Sequence, residues 1–174
     1  KNNNLSPDTN RQYSVGDLIT GYGVAEAVIH YYKLFKEDIR KKKVIIQGWG
    51  NVAGAAAYYL AQEGAIVVGI IDKNGGIINK TGYSFEEIKS LLNTRSSNFL
   101  ESKELLSFEH INKEIWSIGA EIFIPAAASR LLSQNQLDQL IENNLEVISC
   151  GANVPFADKE IFFGPISESA DQRV

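Results

Sequence analysis

Between Lys41 and Gly76 the chain reads KKKVIIQGWGNVAGAAAYYLAQEGAIVVGIIDKNGG, and this stretch constrains the fold more than any other. Lys43 to Gln47 is short, apolar and β-branched, the pattern of a strand buried on both faces. Asn51 to Glu63 is alanine-rich and long enough for a helix, with Gly64 placed to end it as the C′ residue. Ala65 to Ile71 repeats the buried-strand pattern and stops at Asp72. Strand, glycine turn, helix and strand within about 30 residues make a βαβ unit, whose connection is right-handed and whose strands are parallel.

The rest of the chain extends this alternation. Tyr22 to Phe35 reads as a helix, since Val24, Ala27, Val28, Tyr31 and Leu34 recur at steps of three and four. Thr20 reads as its N-cap, and Gly21 and Gly23 let the backbone pass close to a neighbour. Arg40 to Lys43 (RKKK) reads as the basic end of a helix. After Asp72, KNGG is a turn and Ile77-Ile78 a short strand. Ser84 caps FEEIKSLL, with Glu87 completing a capping box. Phe108 to Ile115 is a weaker helix. Glu121 to Ile124 is a buried strand stopped by Pro125. Leu131 to Asn143 is helical from near Ser133, and Leu145 to Ser149 is a further strand. The predicted fold is α/β: a Rossmann-like, doubly wound, mostly parallel sheet with helices on both faces. Residues 1–19 are expected to be a partly disordered lead-in. Residues 20–174 are expected to form one domain.

Composition narrows the class of function. Hydrophobic residues make up 44% and charged residues 22% of the 174, an ordinary globular balance. The net charge of −4 and pI near 5.3 argue against a nucleic-acid partner. No apolar run approaches a membrane span, and from the polar opening KNNNLSPDTNRQYSVGD no signal peptide is expected. A single cysteine, Cys150, makes no internal disulfide. A reducing, cytoplasmic setting is the simplest expectation. Without a Cys–His signature, Cys150 reads as an inert buried thiol. His30 and His110 have no partners at metal-ligand spacing and read as structural, so no metal site is expected.

The chemistry lies in Gly48-Trp49-Gly50-Asn51-Val52-Ala53, a GxGxxA form of the dinucleotide turn. Gly48 permits the sharp exit from the strand. Gly50 lacks a Cβ, so a pyrophosphate can approach the backbone. Ala53 lets the helix pack tightly on the strand. The N–H groups of Asn51 and Val52 stand at the helix N-terminus, where the dipole favours a phosphate. Asp72 lies near the roughly 20-residue spacing expected of the acid that hydrogen-bonds an adenosine ribose 2′-OH. A carboxylate there favours NAD over NADP. Lys73 beside it could reach a 2′-phosphate and keeps NADP open as the alternative. The competing reading is structural: glycines serving helix–sheet packing, and Asp72 serving the turn before Asn74-Gly75.

Three more segments, TGYGV (Thr20–Val24), IPAA (Ile124–Ala127) and GAN (Gly151–Asn153), join QGWGNV (Gln47–Val52) and DKNGGI (Asp72–Ile77). In this order they resemble the nucleotide-binding domain of the glutamate/leucine/phenylalanine/valine dehydrogenases, most of all the glutamate dehydrogenase branch. The resemblance covers roughly Thr20 to Asp158. It implies oxidative deamination of L-glutamate or a related L-amino acid to a 2-oxo acid and ammonia, with hydride passing to a nicotinamide ring. It also implies that Thr20 helps hold the nicotinamide end, that Ala126 and Ala127 line the cofactor groove, and that Asn153 hydrogen-bonds the carboxamide. Thr20 as a cap, the alanines as core and Asn153 as a turn residue are the plain alternatives.

In such enzymes a preceding domain supplies the substrate lysines and the catalytic lysine and aspartate, and nothing in this chain matches it. No catalytic residue is therefore assigned. The expectation is a domain that binds its cofactor weakly and turns over nothing alone, the L-amino acid being held by the other domain of a homo-oligomeric full-length protein. Two other readings compete: the NAD domain of another two-domain oxidoreductase of malic-enzyme type, and a non-catalytic nucleotide-sensing module.

Overall fold

The computed structural model describes residues 13–160 and 163–174. Five strands form one sheet: β1 (Lys43–Gln47), β2 (Ile66–Asp72), β3 (Gly75–Tyr83), β4 (Ile122–Pro125) and β5 (Val147–Ile148). Their order is β3-β2-β1-β4-β5. The chain starts in the centre and winds first one way, then the other. β1 pairs in parallel with β2 and β4, β4 pairs in parallel with β5, and β3 returns antiparallel on β2 at the edge.

Side-chain alternation divides the interior into two layers. Val44, Ile46, Ile122 and Ile124 pack on one face of the sheet, while Ile45 and Phe123 pack on the other. The first face is covered by α1 (Val15–Leu34), α2 (Asn51–Gln62) and α3 (Phe85–Thr94). The second is covered by α4 (Phe108–Glu114), a 3₁₀ turn (Ile115–Ser117), α5 (Gln134–Glu142) and α6 (Pro165–Arg173). The doubly wound fold with helices on both faces is therefore observed. In β2 the alternation slips once, at Val68, where the register shifts against both neighbours. The bulge leaves Val68 and Gly69 on the same side, and a Cβ at Gly69 would crowd Ile115 and Ile118.

The βαβ unit forms as the sequence predicts. Gly64 has φ +94. Its N–H donates to the Ala61 carbonyl at 3.1 Å and the Ala65 N–H donates to the Leu60 carbonyl at 3.0 Å, the paired bonds of a Schellman C-terminus. Ser84 carries the expected capping box, and Ser133, near the expected start of α5, carries one as well.

Several expectations need correction. α1 starts at Val15 rather than near Tyr22, and Ser14 caps it in a capping box with Asp17. Thr20 is therefore inside the helix. The part of the lead-in expected over residues 13–19 is mostly helical, and residues 1–12 lie outside the described residues. The buried face of α1 runs through Leu18, Gly21, Ala25, Val28 and Tyr32, leaving Ala27 and Leu34 exposed. Gly21 does let the backbone pass close to a neighbour: a Cβ there would stand 2.3 Å from the Val52 carbonyl oxygen. Gly23 has open space around it. Arg40 to Lys43 does not end a helix. Arg40 pairs with Asp38, Lys42 pairs with Glu37 and Glu146, and Lys43 opens β1. Finally, the strand after KNGG has nine residues, not two. Its polar second half, Asn79 to Thr81, lies on the outer edge, where apolar alternation is not required.

Candidate functional site

The exits of β1, β2 and β4 open side by side at the carboxyl end of the sheet, where the winding reverses and open α/β sheets bind ligands. A cavity of about 540 Å³ lies there. Its floor is Gln47 to Gly50, Ile71 to Lys73 and Ala126 to Ala128, and Asn98, Phe108, Asn112, Leu131 and Gln136 complete its walls. Of the residues singled out from sequence, Gly48, Gly50, Asp72, Ala126 and Ala127 line it, and Asn51 and Val52 follow directly on the first turn of α2.

The two glycines of the turn have different reasons to be glycine. Gly48 has φ +99, and a Cβ there would stand 2.8 Å from the Ala126 carbonyl oxygen. Its N–H donates to the Ile71 carbonyl at 2.7 Å, and the Ala126 N–H donates to the Gln47 carbonyl at 2.9 Å. Gly48 thus lets three strand exits converge. Gly50 has φ −70, a value open to any residue, and a Cβ there would meet nothing within 4 Å. Neither its backbone nor its surroundings call for glycine, and the open space faces the cavity. Gly50 is also the N-cap of α2 and gives it no side-chain hydrogen bond, and no acid lies in the first turn. The first N–H groups of α2 are left for an acceptor from outside the helix.

GAN enters through its glycine. A Cβ at Gly151 would stand 2.7 Å from Ala126 Cβ and 2.8 Å from Val52 Cγ1. Gly151 therefore brings the β5 exit against both the β4 exit and α2. Asn153 itself is exposed and borders a separate hollow of about 190 Å³ with Cys150 and Phe156. Thr20 is exposed on α1, next to the Gly21 contact with Val52, and does not line the main cavity. The structure thus gathers the turn, the acid and the alanines into one cavity, and leaves Thr20 and Asn153 beside it. Cys150, expected to be buried, is exposed. Desolvation by its surroundings still pushes its thiol above the ordinary value, so it stays protonated near neutral pH and is a poor nucleophile.

Sequence reasoning missed Arg95. It is buried, at 7% exposure. Its guanidinium donates to the Trp49 carbonyl at 2.6 Å, the Asn51 Oδ1 at 2.6 Å and the Tyr13 hydroxyl at 2.8 Å. Asn51 Nδ2 donates in turn to Asp17 at 3.3 Å. The Ser14 hydroxyl, then the Ser14 backbone and the Arg95 charge hold the Asp17 carboxyl below its usual value. The glycine turn is therefore gripped from outside by a charged network joining α1, α2 and the C-cap of α3. An arginine in NTRSSN carries no periodicity, and its partner Trp49 lies 46 residues away. No local signal reveals it.

The acid has its own support. Asp72 Oδ2 accepts a hydrogen bond from the Leu100 N–H at 2.9 Å. Lys73 Nζ sits 3.7 Å from the centroid of the Phe99 ring. Among the described residues no helix is long and apolar enough to cross a membrane, and no cluster of three or more His, Cys, Asp or Glu side chains is placed to hold a metal ion.

Comparison with known proteins bears on this geometry. Glutamate dehydrogenase from Aeropyrum pernix is 30% identical over 138 residues, covering 78% of this chain and 31% of that protein. NADP-specific glutamate dehydrogenase from Psychrobacter sp. is 30% identical over 145 residues, covering 82% of the chain and 32% of that protein. The chain spans about a third of the length of these curated relatives. Among solved structures, Plasmodium falciparum glutamate dehydrogenase 2 superposes with a TM-score of 0.67 at 25% identity, covering 90% of this chain and 34% of that one. The hetero-hexameric glutamate dehydrogenase of Thermus thermophilus gives a TM-score of 0.67 at 23% identity, covering 88% of this chain and 33% of that one, a likeness of fold. The family model for glutamate/leucine/phenylalanine/valine dehydrogenases matches residues 15–161. With the fold, the glycine turn and these matches in agreement, the chain belongs to the glutamate/leucine/phenylalanine/valine dehydrogenase family.

Proposed function

We propose that this chain is the nicotinamide-dinucleotide-binding domain of an amino-acid dehydrogenase that deaminates L-glutamate or a related L-amino acid. The observation that carries the reading is Gly50, whose lack of a side chain answers to nothing in the chain's own fold and opens the cavity at the uncapped start of α2. A pyrophosphate fits that position, since it would accept hydrogen bonds from the N–H groups of Asn51 and Val52 at the positive end of the helix. When bound, the nicotinamide group supplies the hydride acceptor. The residues of this chain orient it: Gly48 by shaping the turn, Ala126 and Ala127 by keeping the groove narrow, Asp72 by accepting from a ribose hydroxyl. Thr20 and Asn153, beside the cavity, would complete its nicotinamide end. The amino-acid substrate is assigned to another part of a homo-oligomeric enzyme.

Asp72 favours NAD, because its carboxylate repels a 2′-phosphate. Lys73 beside it, and relatives named as NADP-specific, support NADP as the second reading. Titration of the chain with NADH and NADPH tests both. Trp49 is buried in the turn and lines the cavity, so energy transfer from indole to the reduced nicotinamide reports binding. Saturable transfer with NADH is expected, weaker with NADPH. No transfer with either would overturn the cofactor assignment.

A further inference from the structure

Asp72 and Lys73 stand side by side at the end of β2 with opposite charges and opposite preferences at an adenosine ribose. The carboxylate accepts from a 2′-OH, whereas the ammonium attracts a 2′-phosphate. Both are held by one short segment that follows α3. The Leu100 N–H donates to Asp72 Oδ2 and leaves Oδ1 without a hydrogen bond from any described residue. One position earlier, the Phe99 ring receives the Lys73 ammonium at 3.7 Å from its centroid. Lys73 forms no ion pair among the described residues, although it is exposed and its side chain is long. Leu100 is 2% exposed and anchors the segment in the core, and Asn98, two residues before it, lines the same cavity as Asp72 and Lys73.

We propose that Phe99 is a specificity-determining residue: by engaging the Lys73 ammonium on its ring, it leaves Asp72 alone to face the ribose and sets the cavity for NAD over NADP. The inference rests on the dinucleotide reading of the cavity. A lysine over an aromatic face is attracted to the ring quadrupole and loses that attraction when the ring is removed. The released side chain then becomes available to a 2′-phosphate.

The test is the ratio of NADPH to NADH dissociation constants for the 174-residue chain and its variants, read by energy transfer from tryptophan to the reduced nicotinamide. Phe99→Ala should shift the ratio toward NADPH by about fivefold, the scale of a partly exposed cation–π contact. Phe99→Tyr, which keeps the ring face, should leave the ratio where it was. Adding Lys73→Ala to Phe99→Ala should abolish the shift. If Phe99→Ala does not fold, as judged by its melting curve, Phe99→Leu keeps apolar bulk without a ring and should give the same shift. A wild-type ratio in the ring-less variant, or a shift that survives loss of Lys73, overturns the role of Phe99 while the dinucleotide reading stands. Failure of the wild-type chain to bind either nucleotide overturns that reading and this inference together.

Discussion

Two glycines two residues apart make opposite predictions. Gly48 is required by the fold, since its φ of +99 and the Ala126 carbonyl both exclude a side chain. Gly48→Ala should cost on the order of 2 kcal/mol, by backbone strain and displacement of the β4 exit, and chemical denaturation will measure it. Gly50 is an uncapped helix start with free space beside it. Gly50→Ser should hold or raise the melting temperature, because serine is the better N-cap. The same substitution should remove NADH binding, because the hydroxyl fills the space a phosphate would take. A stable Gly50→Ser variant that still binds NADH at wild-type strength would contradict the proposed site. At this scale the sequence was informative where the cause is local. A glycine turn between a strand and a helix is visible in one-dimensional spacing, as is the acid that ends the next strand. The placement of Thr20 was not legible as a cap, because Gly21 answers to α2, some 30 residues further on, through a helix–helix contact.

At the scale of elements, the β1–α2 turn is held by α3 through Arg95. Arg95→Met removes the donors to the Trp49 carbonyl and Asn51 Oδ1. Leaving a buried carbonyl unsatisfied should cost about 1–3 kcal/mol. NADH affinity should fall with it, and Arg95→Lys should recover only part, because one ammonium cannot replace the fork that reaches Trp49, Asn51 and Tyr13. Paired denaturation and nucleotide titration will separate the two losses. α6, which sequence reasoning did not anticipate, is tied down by Asp158. Burial alone would raise that carboxyl. Hydrogen bonds from the Ile166 N–H, the Ser167 N–H and the Ser167 hydroxyl, with the Arg130 charge, bring it below its usual value instead. A depressed pKa adds stability that is fully present above the unfolded-state value of about 3.9 and is lost as pH falls through the lower folded value. Hydrogen exchange should therefore show α6 losing protection in that acid window, and Asp158→Asn should remove the pH dependence of that loss. The edge strand β3 escaped full recognition for a related reason. Half of it faces solvent and carries polar residues, so its pairing is set by β2 and not by its own pattern.

For the whole molecule, the cavity lies at the carboxyl end of the sheet, and the chain covers about a third of the relatives it resembles. The purified chain is expected to bind NADH weakly and to show no turnover of L-glutamate. Steady reduction of NAD by the chain with L-glutamate would place the chemistry here after all. The doubly wound class was legible because alternating strands and helices admit few other layouts. Which exits converge was not, since that depends on Gly151 bringing β5, β4 and α2 together.

The strand order also sets an order in time. β2 and β3 are joined by a tight turn at Lys73-Asn74, whereas β1 reaches β4 only across a span of 78 residues, from Val44 to its partner Ile122. A hairpin closes in microseconds, while long loops must lose more entropy before their contacts form. Nascent chain leaving a ribosome would thus carry Asp72 and its hairpin preassembled, with about a third of the cavity floor, Ala126 to Ala128, waiting for β4 to be made. Substitutions in β4 should then act mainly on the late rate of folding, and a chain stalled before residue 122 would expose the unpaired edge of β1 to other chains.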